Sequence, residues 1–410
     1  MANRVAITGC GAVCALGNSV PEITEALRAG RSGVRLVAAD PVSAPVAGGF
    51  PLLESAYVDL STSDKALFDP VTRYAMHAAR EALEQCGLLQ DHSLRQRAAV
   101  YIGTALGGAH STEEAHRDVW YHGTRPKPLT VLSAMANAPA AHLSIRFGLM
   151  GPSLTYSIAC ASSAVAIGEA FRAIRDGRVD CALAGGAEAC MTPVIVRSWQ
   201  SMRILANVDS RSPAEACKPF SRELSGLVLG EGAAMLVLER LHGATARGAT
   251  VLCELLGYGC TSDASHICIP SSAGESSAIL AALDDACLAK SEIDYISAHG
   301  TGTRLGDITE TQAIRQVFGD HASSLAVSST KSAHGHLLGA AGALELVATI
   351  AAVRARFLPA TLHLRHPDPE CDLDYVPNEP RSDVRVDTFM SNSFAFGGTN
   401  AVLVGRFNAC

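Results

Sequence analysis

The chain has 410 residues, 33 basic and 40 acidic, for a formal net charge of −7. That balance gives no support to a nucleic-acid partner and argues against a purely electrostatic hold on a membrane. Hydrophobic residues make up 48% and charged residues 18%, so a large core is expected, and no apolar run is long enough to span a bilayer. Met1-Ala-Asn-Arg4 leads straight into a strand, Val5–Thr8, without the architecture of a signal peptide. A helix is predicted over Tyr74–Gln85, then a strand over Ala98–Ile102 and a helix over Ser162–Arg175, with Gly177 just past its end. Strands follow at Cys181–Ala184, Ala233–Leu238 and Val251–Leu256, then a helix at Ser277–Leu288. Apolar runs at Ile293–Ser297 and Leu325–Ser329 read as short strands, and Leu338–Val353 as a last helix. This alternation predicts an α/β protein with helices on both faces of a sheet. Thirteen scattered cysteines, an odd number, read as thiols of a reduced cytoplasmic protein.

Chemistry concentrates at three places. Cys160 lies in Tyr156-Ser-Ile-Ala-Cys160-Ala-Ser-Ser-Ala164, a small-residue turn that opens a helix. Unpaired N–H groups and the positive end of the helix dipole favour a thiolate there, and thiolate is the nucleophile. Taken alone, the site reads equally well as a small buried core cysteine. Two later turns point to catalysis: Ala298-His299-Gly-Thr-Gly-Thr303 and Ser328-Ser-Thr-Lys331-Ser-Ala-His-Gly-His336-Leu-Leu-Gly339. Each follows a strand and turns on glycine, so each histidine stands at or beyond a strand end, where α/β enzymes keep their chemistry. One cysteine with two such histidines is a Cys/His constellation. The Gly-Thr-Gly-Thr turn lacks the Lys-Ser/Thr of a P-loop, which sets nucleotide binding aside. His110, His116 and His122 lack metal-ligand spacing, and no metal is expected; they read as a solvated segment near a pocket mouth or subunit interface.

With these motifs in view, the chain resembles the β-ketoacyl-acyl-carrier-protein synthases of the thiolase superfamily, in particular the ketosynthase II type. The resemblance runs over all 410 residues. It is carried by Val5-Ala-Ile-Thr-Gly9, the Cys160 turn, Ala184-Gly-Gly-Ala-Glu188, Leu229-Gly-Glu-Gly-Ala233, His299-Gly-Thr-Gly-Thr303, Lys331-Ser with Gly335-His336, and Asn392-Ser-Phe-Ala-Phe-Gly-Gly-Thr-Asn400. It implies a thiolase fold: α/β, with duplicated βαβαβ halves in a five-layer α-β-α-β-α arrangement. The expected halves are 1–248, with the nucleophilic Cys, and 249–410, with the two His and the Lys. The implied reaction is a decarboxylative Claisen condensation of an acyl chain held on Cys160 with malonyl-acyl carrier protein. The implied machinery is Cys160, His299, His336, Lys331 and Glu310. Glu310 is the expected carboxylate partner of a buried Lys331, and Asp307 orders the same turn. An oxyanion hole is expected from the N–H groups of Cys160 and Phe396, Phe396 also being the gate. Substrate contacts are expected from Thr301, Thr303, Leu106, Cys268, Leu227 and Phe394. No cofactor is expected beyond the phosphopantetheine that arrives on the acyl carrier protein. The implied assembly is a homodimer, or a heterodimer with a ketosynthase-like chain-length factor, joined through a strand near Leu154–Ser157.

Three positions depart from the family pattern. Ser225 and Leu227 stand where relatives have Asp and Phe, and Cys268 where many have a pantetheine-contacting Thr. These changes point to a specialised ketosynthase of a type II polyketide or aryl-polyene pathway over a housekeeping fatty-acid enzyme. A non-catalytic chain-length-factor-like subunit is the alternative, and it would lack the nucleophile. A degradative thiolase would carry a second catalytic Cys in place of the Lys331 and two-His pattern.

Overall fold

A computed structural model describes residues 3–38, 45–51, 61, 64 and 67–407. Ten strands form one continuous hydrogen-bonded sheet. The first five are β1 (Val5–Val13), β2 (Ala99–Gly103), β3 (Ser153–Tyr156), β4 (Cys181–Glu188) and β5 (Gly232–Arg240). The second five are β6 (Cys253–Ser262), β7 (Tyr295–Ser297), β8 (Ala326–Ser328), β9 (Thr388–Phe394) and β10 (Thr399–Arg406). The spatial order is β8-β7-β9-β10-β6-β1-β5-β4-β2-β3. Each set of five therefore has the same order, third-second-fourth-fifth-first. The directions repeat as well: the second strand runs parallel to its two neighbours, and the remaining pairs are antiparallel. The fold is thus an internal duplication that no repeat in the sequence betrays. The two sets join where β1 meets β6, with Val5 opposite Leu255 and Ile7 opposite Cys253.

The layers are packed around three main hydrophobic clusters, of which the central one covers both faces of the middle helices. Helices α1 (Pro70–Gln85) and α2 (Ala138–Phe147) cover the outer face of the first set. Helices α3 (Ser162–Arg175) and α6 (Ala341–Arg354) lie in the middle and touch both sets. Helices α4 (Ser272–Ala286) and α5 (Arg304–Phe318) cover the outer face of the second. The middle pair is largely buried, and α6 is accordingly apolar almost all round, while α3 keeps a charged side at Glu169, Arg172 and Arg175. The thiolase arrangement is the one observed.

Several boundaries differ from the sequence reading. Helix α1 begins at Pro70, not Tyr74, because Asp69 caps it by accepting from the Val71 N–H. Helix α4 spans Ser272–Ala286, where Ser277–Leu288 was expected, since the Ser271 hydroxyl caps the Gly274 N–H. The 338–353 run starts as a 3₁₀ turn, Leu338–Ala340, before α6 proper. Helix α5 and strands β9 and β10 were not among the expected elements. Strand β3 closes one edge of the sheet and is exposed along much of its length. The twelve cysteines among the described residues are free thiols. Among the described residues, no helix is long and apolar enough to cross a membrane.

Candidate active site

Cys160 sits in a 3₁₀ turn, Ala159–Ala161, between β3 and α3. Ala159 is forced to a φ of 42°, a left-handed conformation that an alanine rarely adopts. Ser162 holds this elbow by accepting from the Ile158 N–H (2.8 Å) and donating to the Ala159 carbonyl (2.7 Å). Strand β2 ends directly behind it at Gly103, where a Cβ would run into the Ser162 backbone. The elbow is therefore clamped from both sides, with the thiol at the mouth of α3.

The two histidines arrive from the second half of the chain. His299 follows the end of β7, and Glu310 on α5 accepts from both the His299 and Gly300 N–H groups at 2.8 Å. His336 is locked by a short ladder: its N–H donates to the Val228 carbonyl (2.7 Å), and its carbonyl accepts from the Gly230 N–H (2.8 Å). The Leu229-Gly-Glu-Gly segment thus serves to hold His336. His336 Nε2 lies 3.0 Å from Cys160 Sγ. The two imidazoles meet edge to face, with centroids 5.3 Å apart. One donor atom from each of Cys160, His299 and His336 falls within 4.8 Å of the others.

Such a cluster has the ligand types of a soft-metal site, but the protonation pattern opposes one. Lys331 Nζ approaches His299 Nδ1 at 3.4 Å. An ammonium can only donate, so Nδ1 accepts and the ring proton sits on Nε2. Neither nitrogen of His299 is then free as a ligand, and Nε2–H is a donor. Burial, then the Lys331 charge, holds both His299 and His336 well below the ordinary imidazole value, so both rings are neutral.

Two sequence expectations are corrected. The first concerns the thiol. Burial pushes Cys160 up to about 11, against the opposing pull of the Lys331 charge and the Phe396 N–H. The resting group is a thiol, because desolvation at this enclosed position outweighs the helix terminus. The second concerns Lys331. Its ion-pair partner is Glu345 on α6, not Glu310, and both ends are fully buried. Lys331 also donates to the His299 carbonyl at 2.5 Å. Glu310 is occupied by two backbone N–H groups and by Asn392 Nδ2 (3.0 Å). Asp307 accepts from the Phe220 and Gly302 N–H groups, at 2.7 and 3.2 Å, and so ties the same turn.

The thiol and histidines open on a cavity of about 220 Å³. Leu227, Cys268, Thr301, Thr303, Glu310, Phe394 and Phe396 are in its wall. Phe394 meets His299 edge to face at 6.2 Å, and Phe396 stacks on Trp199 at 6.0 Å. Thr301 and Thr303 share a hydrogen bond of 2.9 Å between their hydroxyls. Leu106 is not in this wall. Its N–H is held by Glu188 (3.2 Å), and 38% of the residue is exposed, so the single chain does not place it against the thiol. His110 stands apart from the cavity, 3.6 Å from Glu231. Sequence reasoning missed the roles of Glu345, Glu188 and Asn392. Glu188 is fully buried and gathers the Ala105, Leu106 and Gly339 N–H groups. Glu345 was signalled by its place as a lone acid in an otherwise apolar run, since a buried charge needs a partner.

A thiol beside a neutral imidazole, with a second neutral imidazole as donor, is suited to acyl transfer and to holding an enolate oxygen. Known proteins agree with that chemistry. Residues 2–244 match the family described as Beta-ketoacyl synthase, N-terminal domain, and residues 252–365 match Beta-ketoacyl synthase, C-terminal domain. Nodulation protein E of Rhizobium meliloti (strain 1021) is 42% identical over 410 residues, covering 98% of this chain and 99% of the relative. The 3-oxoacyl-[acyl-carrier-protein] synthase 2 of Coxiella burnetii (strain RSA 493 / Nine Mile phase I) is 40% identical over 413 residues, covering 98% of each. The solved structure of the ishigamide ketosynthase/chain length factor superposes with a TM-score of 0.90 at 34% identity, covering 100% of both chains. With both family models matched and relatives of 40–42% identity aligned over 98% of its length, the chain belongs to the β-ketoacyl synthase family.

Proposed function

We propose that this protein catalyses the condensation of an acyl chain with malonyl-acyl carrier protein to give a 3-oxoacyl-acyl carrier protein, in fatty-acid or type II polyketide biosynthesis. The observation that carries this is the 3.0 Å approach of His336 Nε2 to Cys160 Sγ, with neutral His299 beside it. His336 takes the thiol proton as Sγ attacks the acyl thioester. The carbon–sulfur bond to the carrier arm breaks, and the arm leaves as a thiol with that proton. Malonyl thioester then enters. Its bond to the carboxylate breaks, carbon dioxide leaves, and the electron pair passes into an enolate whose oxygen receives Nε2–H from His299 and, once its ring proton has moved from Nδ1 to Nε2, from His336. The enolate carbon attacks the acyl group on Cys160. The tetrahedral oxyanion is held by the Cys160 and Phe396 N–H groups until the bond to Sγ breaks and the released thiolate takes up a proton from solvent. Lys331, Glu345 and Glu310 are positioning residues in this scheme. Leu227, Cys268, Thr301, Thr303 and Phe394 border the substrate path.

The presence of Cys160 disfavours a non-catalytic partner subunit. The phosphopantetheine of the carrier supplies the arm, and the residues named need no other cofactor. We place the junction of the halves at Gly248, giving units 1–248 and 249–410, and the enzyme in the cytoplasm. Two chains pair through β3, either identical or with a chain-length factor. The test uses malonyl- and acyl-acyl carrier protein. Wild type gives acylation at Cys160 and a 3-oxoacyl product. Cys160→Gln retains malonyl decarboxylation, and His299→Ala or His336→Ala in that background lowers it about a hundredfold. Normal decarboxylation in the histidine variants would overturn the scheme.

A further inference from the structure

Glu275 is a side chain in the cavity wall that the scheme above does not use. It lies in the first turn of α4 and is 1% exposed. Its Oε2 is buried and has no hydrogen-bond partner. The charged groups that bear on it are Glu310 and Asp263, both acidic. Each of those has partners of its own: Glu310 holds backbone N–H groups and Asn392, and Asp263 holds Asn400 Nδ2 (2.7 Å) and the Ser271 N–H (3.2 Å). Burial, reinforced by these two acids, keeps the Glu275 carboxyl protonated. A neutral carboxyl carries one O–H donor. Much of the cavity wall is apolar, with Trp199, Met202, Ile204 and Ile267 in it. A ligand suited to this cavity has an apolar body and an acceptor oxygen at one point along it.

We infer that Glu275 is a specificity-determining residue that donates a hydrogen bond to a carbonyl oxygen of the thioester-borne ligand. This rests on the ketosynthase reading and adds the chemistry of the ligand to it. Two parts of such a ligand carry that oxygen, an amide of the pantetheine arm or an oxygenated acyl chain.

The experiment compares wild type, Glu275→Met and Glu275→Gln by Cys160 acylation. Three substrates are used: a saturated acyl-pantetheine, the same acyl group on butanethiol, which has no amide, and a butanethiol thioester with a keto group in its chain. If the arm supplies the oxygen, Met lowers kcat/KM about tenfold for the pantetheine substrate and leaves the plain butanethiol thioester unchanged. If the chain supplies it, only the keto substrate suffers. In either case Gln, which keeps an N–H donor at the same reach, restores most of the rate. A Met variant equal to wild type on all three substrates overturns the inference. An independent measurement needs no folded Met variant. The carboxylic C=O infrared band lost in Glu275→Gln should shift when wild type binds an unreactive pantetheine amide or a keto-chain analogue, and no shift with either also overturns it. Wild type that acylates Cys160 but never condenses would instead refute the ketosynthase reading.

Discussion

At the scale of single residues, the site is governed by desolvation. Cys160 is a thiol at neutral pH because burial raises it to about 11. Below that value its thiolate fraction grows about tenfold for each pH unit. Alkylation of Cys160 by iodoacetamide, followed by peptide mass spectrometry, should therefore keep rising through pH 9 and level only near 11. A plateau near pH 7 would mean that His336 and Cys160 form a standing ion pair. The histidines shift the other way: both are depressed, so neither gains a proton as the pH falls through the ordinary imidazole range. Malonyl decarboxylation by Cys160→Gln should then show no inflection near about 6.5. Behind them, Lys331 and Glu345 form a fully buried pair. Glu345→Leu leaves an unpaired ammonium in the core and should cost about 3–5 kcal/mol of stability by denaturant unfolding. The double variant Lys331→Met/Glu345→Leu should recover most of that loss while remaining slow in decarboxylation, because His299 loses the group beside its Nδ1.

At the scale of elements, catalytic geometry depends on close backbone approaches. Strand β2 ends at Gly103 against the Ser162–Ser163 backbone, with no room for a methyl group. Gly103→Ala should push the elbow outward, costing about 1–3 kcal/mol by overpacking, and Cys160 acylation should fall with it. Unchanged acylation with a lowered Tm would show that the elbow position is not what acylation requires. On the other side, Asn392 in β9 donates to Glu310, which in turn holds the His299–Gly300 backbone. This chain of bonds links the last antiparallel pair of the sheet to a turn some 90 residues earlier in the sequence, and neither segment alone reveals it.

At the scale of the whole molecule, the exposed edge strand sets the expectation. Strand β3 leaves its outer edge unpaired among the described residues, and it leads directly into the elbow of Cys160. An open edge is a liability that a second copy or a related chain removes by continuing the sheet. Light scattering at micromolar concentration should give a dimer, alone or with a partner chain. A fully active monomer would show that the edge needs no cover.

The sequence by itself pointed to the cysteine and the two histidines that the structure brings together, and to the α/β class. Cys160, His299 and His336 were legible because each stands in a distinctive small-residue or glycine turn after a strand, and turn chemistry is local. The α/β class was legible for the same reason, through hydrophobic periodicity. Helix α5 was not, because its first turns carry Arg304, Asp307 and Glu310 among the apolar residues, and two of those three are buried for the sake of the site. Only the tertiary structure decided which carboxylate meets Lys331. Glu310 is nearer in chain logic to the His299 turn, but α6 brings Glu345 to the ammonium, and Glu310 is taken by backbone N–H groups. It also decided the charge state of Cys160, since a helix terminus is a local feature whereas desolvation is set by everything packed around it. The duplicated topology was implied by the family resemblance, but strand order and direction could be read off only in three dimensions. Strand order and direction can persist after side chains diverge, because backbone hydrogen bonding does not depend on which apolar residue fills each position.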